Sequence, residues 1–167
     1  MAFFGMFKIN VFSDVSGVVT KNGKPVEGAV VSQWAKLNFN KNEFVNETKT
    51  DSDGRFSFNA IYTNTVNRFL PSANTVTQEI KINYQGKTYR AWVSVKDNYD
   101  YDGELNNIKK LIGERDQMKV FPTKIQDAAI REKIIPFHLQ CELTREESIK
   151  TNDHAAVQGI CEWPGLQ

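Results

Sequence analysis

The densest cluster of ionisable side chains is acidic: Asp97, Asp100, Asp102 and Glu104, interleaved with Tyr99 and Tyr101. Carboxylates at this density suit a hard cation such as calcium, but the glycine and closing glutamate do not fall at the offsets of an EF-hand loop. A solvated acidic loop explains the run more simply. The two tyrosines give it a second use, because tyrosines beside charges bring contact area to protein interfaces at small entropic cost. Asp97, Tyr99, Asp100, Tyr101, Asp102 and Glu104 are therefore the expected partner-binding residues, their charge steering a partner with a basic surface. Asp51 and Asp53 are explained by a turn, since Asp side chains cap the amides that follow them and Gly54 accepts a left-handed backbone.

The sulfur and imidazole groups come late in the chain, as Cys141 and Cys161 with His138 and His154. Nucleophilic catalysis needs a nucleophile and a base in mutual reach. His138 lies three residues from Cys141 on a predicted strand, and so falls on the opposite face of the pleat. With no G-x-S-x-G motif either, no catalytic residue is assigned and an enzyme is not expected. The absence of a CxxC or Cys/His spacing argues against structural zinc, and no cofactor is expected. Cys141 and Cys161 could pair as a disulfide if they sit in facing strands in an oxidising compartment. The N-terminus is apolar in patches, but Gly5 and Lys8 interrupt it and neither a basic leader nor a small-residue cleavage site follows. Cytoplasmic location and reduced thiols are the corresponding expectation.

Among the aromatics, Trp34, Tyr89 and Trp92 are the candidates for a carbohydrate platform. Tyr89 and Trp92 have opposite parity within one strand, which argues against their sharing a face.

These groups are positioned by a β-rich chain. Its 167 residues suit one domain. The reading is a core over 13–96, a loop and short-helix insert over 97–135, and closing strands over 136–163. Lys and Arg total 21 against 20 Asp and Glu, so no global field draws the chain to nucleic acid or an anionic membrane. A hydrophobic share of 40% supplies a core without a membrane span. Two β-branched runs flank Asn22-Gly23-Lys24-Pro25, a hairpin signal whose second strand runs on through Val31 and Trp34. Phe56 and Phe58 alternate with polar residues and point to the core. A second hairpin turns at Gln85-Gly86, and residues 60–75 read as a long loop. Apolar spacing at Leu105, Ile108, Leu111 and Ile112 suggests a short helix, and 127–135 another, stopped before Pro136. Residues 137–143 and 156–163 read as the last strands.

The stretch SGVVTKNGKPVEGAVV, followed by TDSDGRFSF, resembles the transthyretin-like, carboxypeptidase-regulatory-like β-sandwich superfamily. The matching positions are Gly17, Val19, Gly23, Pro25, Gly28, Ala29 and Val31, then Thr50, Asp51, Gly54 and Phe56. The resemblance implies a mostly β fold, an antiparallel seven- or eight-stranded sandwich, here with short helices in the C-terminal half. Its enzyme branch, the hydroxyisourate hydrolases, uses an N-terminal His, a central Arg, a second His and a terminal Tyr-Arg-Gly-Ser, a set this chain lacks. AWVSVKDNYD and FHLQCELT also look like an uncharacterised bacterial family of small stand-alone proteins with this domain, some of them suspected immunity or accessory proteins. A non-enzymatic module that binds and neutralises a cognate toxin or effector is the resulting expectation, with a structural or carbohydrate-binding sandwich as the alternative.

Overall fold

The computed structural model describes residues 7–37, 43–65, 76–96, 137–152 and 155–162. The described chain is all β, without a helix, in thirteen strands over three sheets. The smallest sheet pairs β1 (Phe7–Phe12) with β7 (Ile61–Thr65). The second is organised around β2 (Val15–Lys21), which pairs in parallel with β10 (Phe137–Glu142) along one edge. Its other edge takes β6 (Arg55–Phe58) and the two-residue β3 (Lys24–Pro25), while β13 (Cys161–Glu162) closes against β10. The largest sheet has six strands: β11 (Ser148–Asn152), β12 (Ala155–Gly159), β9 (Lys87–Lys96), β8 (Val76–Tyr84), β4 (Val30–Leu37) and β5 (Glu43–Lys49) in spatial order.

This architecture corrects the expected antiparallel sandwich of seven or eight strands with C-terminal helices. The strand count is larger, the β2–β10 pair is parallel, and the described part of the C-terminal half is strand and turn. The helices expected at 105–118 and 127–135 lie outside the described residues. The loop expected over 60–75 is strand in its first part, since β7 lies there.

The first hairpin is also shorter than its sequence implies. Asn22 and Gly23 take positive φ (53° and 75°), the geometry of a tight hairpin turn. The ladder then ends after Lys21↔Lys24 and Thr20↔Pro25, and the chain crosses to the six-stranded sheet. Thr50 holds the crossing. Its buried hydroxyl donates to the Val26 carbonyl (2.6 Å) and accepts from Ala29 N–H (2.9 Å), while its own N–H donates to the Ala29 carbonyl (2.9 Å). The two halves of the sequence motif, around Gly28-Ala29 and Thr50-Asp51, thus meet at one corner.

The core lies between the sheets and contains Val11, Phe12, Val19, Val31, Phe56, Ile80, Ile82, Trp92 and Leu139. Phe12 and Trp92 pack with ring centroids 5.6 Å apart, inside the range of favourable tilted aromatic pairs. Gln78 is fully buried and donates to the Val11 carbonyl (2.6 Å), tying β1 to the large sheet. Gly17 leaves room for Phe56, because a Cβ there would overlap the phenyl ring and approach the Leu139 carbonyl oxygen to 2.9 Å.

A β-bulge in β9 revises the parity argument for the aromatics. Ile80 faces Trp92 and Lys81 faces Arg90, so Ala91 is the extra residue. The bulge resets the alternation. Tyr89 stands opposite Ile82 and Trp92 opposite Ile80, and both isoleucines are buried, so the two aromatics do share the inner face. Gly159 abuts the bulge with φ 152°, and a Cβ there would overlap the Ala91 carbonyl oxygen.

Candidate functional site

The expected partner-binding residues Asp97, Tyr99, Asp100, Tyr101, Asp102 and Glu104 lie outside the described residues. The run begins directly after β9 ends at Lys96. On β10, the exposed His138 and the buried Cys141 fall on opposite faces, as their spacing implies. Cys141 is bonded to Cys161 across the β10–β13 pair as a disulfide, where reduced thiols were expected. Sequence reading could not set the two cysteines in register, because nothing local fixes how β13 returns to β10.

Three surface features bring polar or apolar side chains together. The first is the outer face of the six-stranded sheet. Strand register places Ile149, Gln158, Val93, Glu79, Trp34 and Val45 in one row across all six strands. Ile149 and Val45 at its two ends are 66% and 60% exposed. Ion pairs run through the row, from Glu147 to Arg90 (3.1 Å), Arg90 to Glu79 (3.7 Å) and Glu79 to Lys81 (3.2 Å). Trp34 borders a shallow concavity of about 330 Å³ with Ser32, Val45, Glu47, Glu79 and Lys81. Its indole N–H donates to Glu43 (3.1 Å). Trp92, the other tryptophan weighed as a platform, is fully buried.

The second feature is a cleft of about 450 Å³ on the outer face of the β2 sheet, where β5 of the large sheet reaches β6. Register aligns His138, Ser16 and Ser57 across β10, β2 and β6. Ser16 Oγ lies 3.0 Å from His138 Nδ1. Lys49, Asp51 and Arg55 complete the polar wall. Residues 16 and 138 are 122 positions apart, so the pairing leaves no local sequence signal.

The third feature is the carboxylate of Glu142 at the end of β10. Its Oε1 accepts from Asn22 N–H (2.8 Å) and from the Thr144 hydroxyl (2.7 Å) and N–H (3.3 Å). Its Oε2 accepts from the Thr20 hydroxyl (2.8 Å) and Gly23 N–H (3.1 Å). Burial pushes the pKa up, but the donors from Thr144, Gly23, Thr20 and Asn22 outweigh it and hold the group at about 2. This arrangement clasps the β2–β3 turn to β10 and leaves the carboxylate occupied, which marks it as structural.

Among the described residues no group of three or more His, Cys, Asp or Glu side chains could hold a metal ion. Among them, too, no helix is long and apolar enough to cross a membrane. No curated protein matches the chain. Residues 15–114, from the start of β2 past the end of β9, match the family model described as a domain of unknown function, DUF6795. That match takes in well over half of the sequence, and the chain belongs to the DUF6795 family.

Proposed function

We propose that this chain is a non-enzymatic protein-binding module that engages its partner through the outer face of the six-stranded sheet. The observation carrying this reading is the row from Ile149 to Val45, which leaves large apolar side chains exposed on a face whose reverse side is the core. Exposed apolar side chains at both ends of a sheet face, with paired charges between them, offer a partner both apolar contact and polar register. The ion pairs through Arg90 and Glu79 fix the polar side chains beforehand, which lowers the entropic cost of association. The acidic run from Asp97 to Glu104, which follows β9 in the sequence, adds steering toward a basic partner.

The narrower form of the reading is an immunity or accessory protein for a cognate toxin or effector, in a chain distantly akin to the transthyretin-like superfamily. It rests on the sequence resemblance and on the corner at which the Gly28-Ala29 and Thr50-Asp51 motif halves meet. Affinity capture from source cells tests it, comparing the natural chain with a Val45→Glu, Ile149→Glu double variant. Support would be a stoichiometric partner, toxic when expressed alone, that the natural chain retains and the variant loses. Equal retention by both chains would remove the sheet face from the interface.

A carbohydrate-binding reading is favoured by one observation, the Trp34 concavity with Glu47, Glu79 and Lys81 around it. An indole face with adjacent carboxylates suits sugar stacking and hydrogen bonding. Oligosaccharide-dependent quenching of tryptophan fluorescence that disappears in Trp34→Ala would support it; unchanged fluorescence would not.

A further inference from the structure

We propose that the cleft between β2, β6 and the end of β5 is an oxyanion site that takes a phosphoryl group, the chemistry shared by free phosphate and phosphate monoesters. The cleft presents two cations, Lys49 and Arg55, against one carboxylate, Asp51. That carboxylate is engaged locally: Asp51 Oδ1 accepts the backbone N–H groups of Asp53 and Arg55, both at 2.9 Å. Among the described residues neither Lys49 nor Arg55 has a carboxylate within ion-pairing distance, whereas Lys36, Lys81, Arg90 and Arg145 all do. Two cations without an ion pair among the described residues therefore line one concavity.

The uncharged donors there fit the same ligand. Ser16 and Ser57 are direct cross-strand neighbours, and His138 continues the row. With the Ser16 hydroxyl donating to His138 Nδ1, the Nε2–H of the ring is left as a donor. The Ser57 hydroxyl, on a residue whose backbone lies in the β2–β6 ladder, has no hydrogen-bond partner among the described residues. A planar guanidinium matches two oxygens of a phosphoryl group, an ammonium adds a point charge, and hydroxyl and imidazole donors take the rest. A carboxylate ligand would use fewer of these donors and carry less charge. The cleft lies mainly on the β2 sheet and takes Thr48 and Lys49 from the end of β5, and none of its residues belongs to the row from Ile149 to Val45 that forms the proposed protein interface.

The test follows the His138 imidazole by proton NMR in a chain carrying His154→Gln, so that one histidine signal remains. Phenyl phosphate, inorganic phosphate and acetate are titrated separately to about 20 mM, at fixed pH and ionic strength. The expected result is a saturable shift with either phosphate probe, and a loss of affinity of about tenfold or more in a Lys49→Gln, Arg55→Gln double variant. Tighter binding of phenyl phosphate identifies a monoester site, and equal binding a free-phosphate site. Both side chains are exposed, so the variant is expected to unfold at the temperature of the parent chain. An unmoved imidazole, equal titration of the double variant, or acetate saturating as readily as phosphate would overturn the assignment. Should the double variant fail to fold, Ser57→Ala replaces it, and retention of full phosphate affinity there would count against the site.

Discussion

Replacing Glu142 by glutamine tests the clasp between β10 and the first turn, and it carries a pH signature. The carboxylate accepts five hydrogen bonds, two of them from the N–H groups of Asn22 and Gly23 at the turn itself. Its pKa falls from an ordinary 4.5 to about 2 in the folded chain. Between those values the unfolded chain binds a proton that the folded chain does not. The stabilisation is thus fully present above about pH 5 and is lost as pH falls toward 2. A shift of that size corresponds to at most about 3 kcal/mol. Because the side chain is partly exposed, solvent screening reduces this to about 1–2 kcal/mol. Glutamine removes the charge and turns an amide N–H₂ toward groups that are themselves donors, so the variant should lose about that much at neutral pH. Urea unfolding of both chains from pH 7 to pH 2, with the disulfide intact, measures it. The gap between them should hold from pH 7 to 5 and close toward pH 2. A gap that is absent at pH 7, or that does not change with pH, would refute the electrostatic account.

Three other perturbations are decided by geometry. Gly159→Ala drives a Cβ into the Ala91 carbonyl at the β9 bulge, and should cost roughly 3 kcal/mol or more, read as lost soluble yield or a lowered urea midpoint. Thr50→Val deletes the hydroxyl that bridges Val26 and Ala29 in the buried corner; a loss of about 1–3 kcal/mol is expected, with Thr50→Ser retaining most of the stability in the same denaturation assay. Replacing Cys141 and Cys161 together by serine opens a link between residues 20 apart, which by loop entropy should cost roughly 3 kcal/mol in thermal unfolding. An unchanged midpoint would show that β13 is held to β10 without the bond.

The legible parts of this fold are those written in neighbouring residues. Asn22-Gly23 and Gln85-Gly86 announce their turns because positive φ is required there. The Phe56/Phe58 alternation and the His138/Cys141 parity are local consequences of the pleat. What the sequence does not announce is pairing across distance. Nothing around Val15 indicates a parallel neighbour at Phe137, and the Ser16–His138 contact follows only from that register. The Ala91 bulge likewise defeats strict alternation, which is why Tyr89 and Trp92 read as opposed yet share a face. Trp34 was legible as a candidate, but its outward direction depends on which face of β4 meets the core.

The parallel β2–β10 pair also bears on how the chain can be made and cut. Six residues of β2, Val15 to Thr20, are paired with partners that begin at Phe137. A nascent chain has therefore completed β1 to β9 before the strand that covers this edge leaves the ribosome. Until then β2 presents open backbone donors and acceptors on that side, the condition under which strands recruit the wrong partner. A fragment trimmed to the family boundary at residue 114 would keep this edge permanently bare. Such a fragment should aggregate where the full chain stays monodisperse, and supplying 137–162 as a separate peptide should reverse that by filling the same edge.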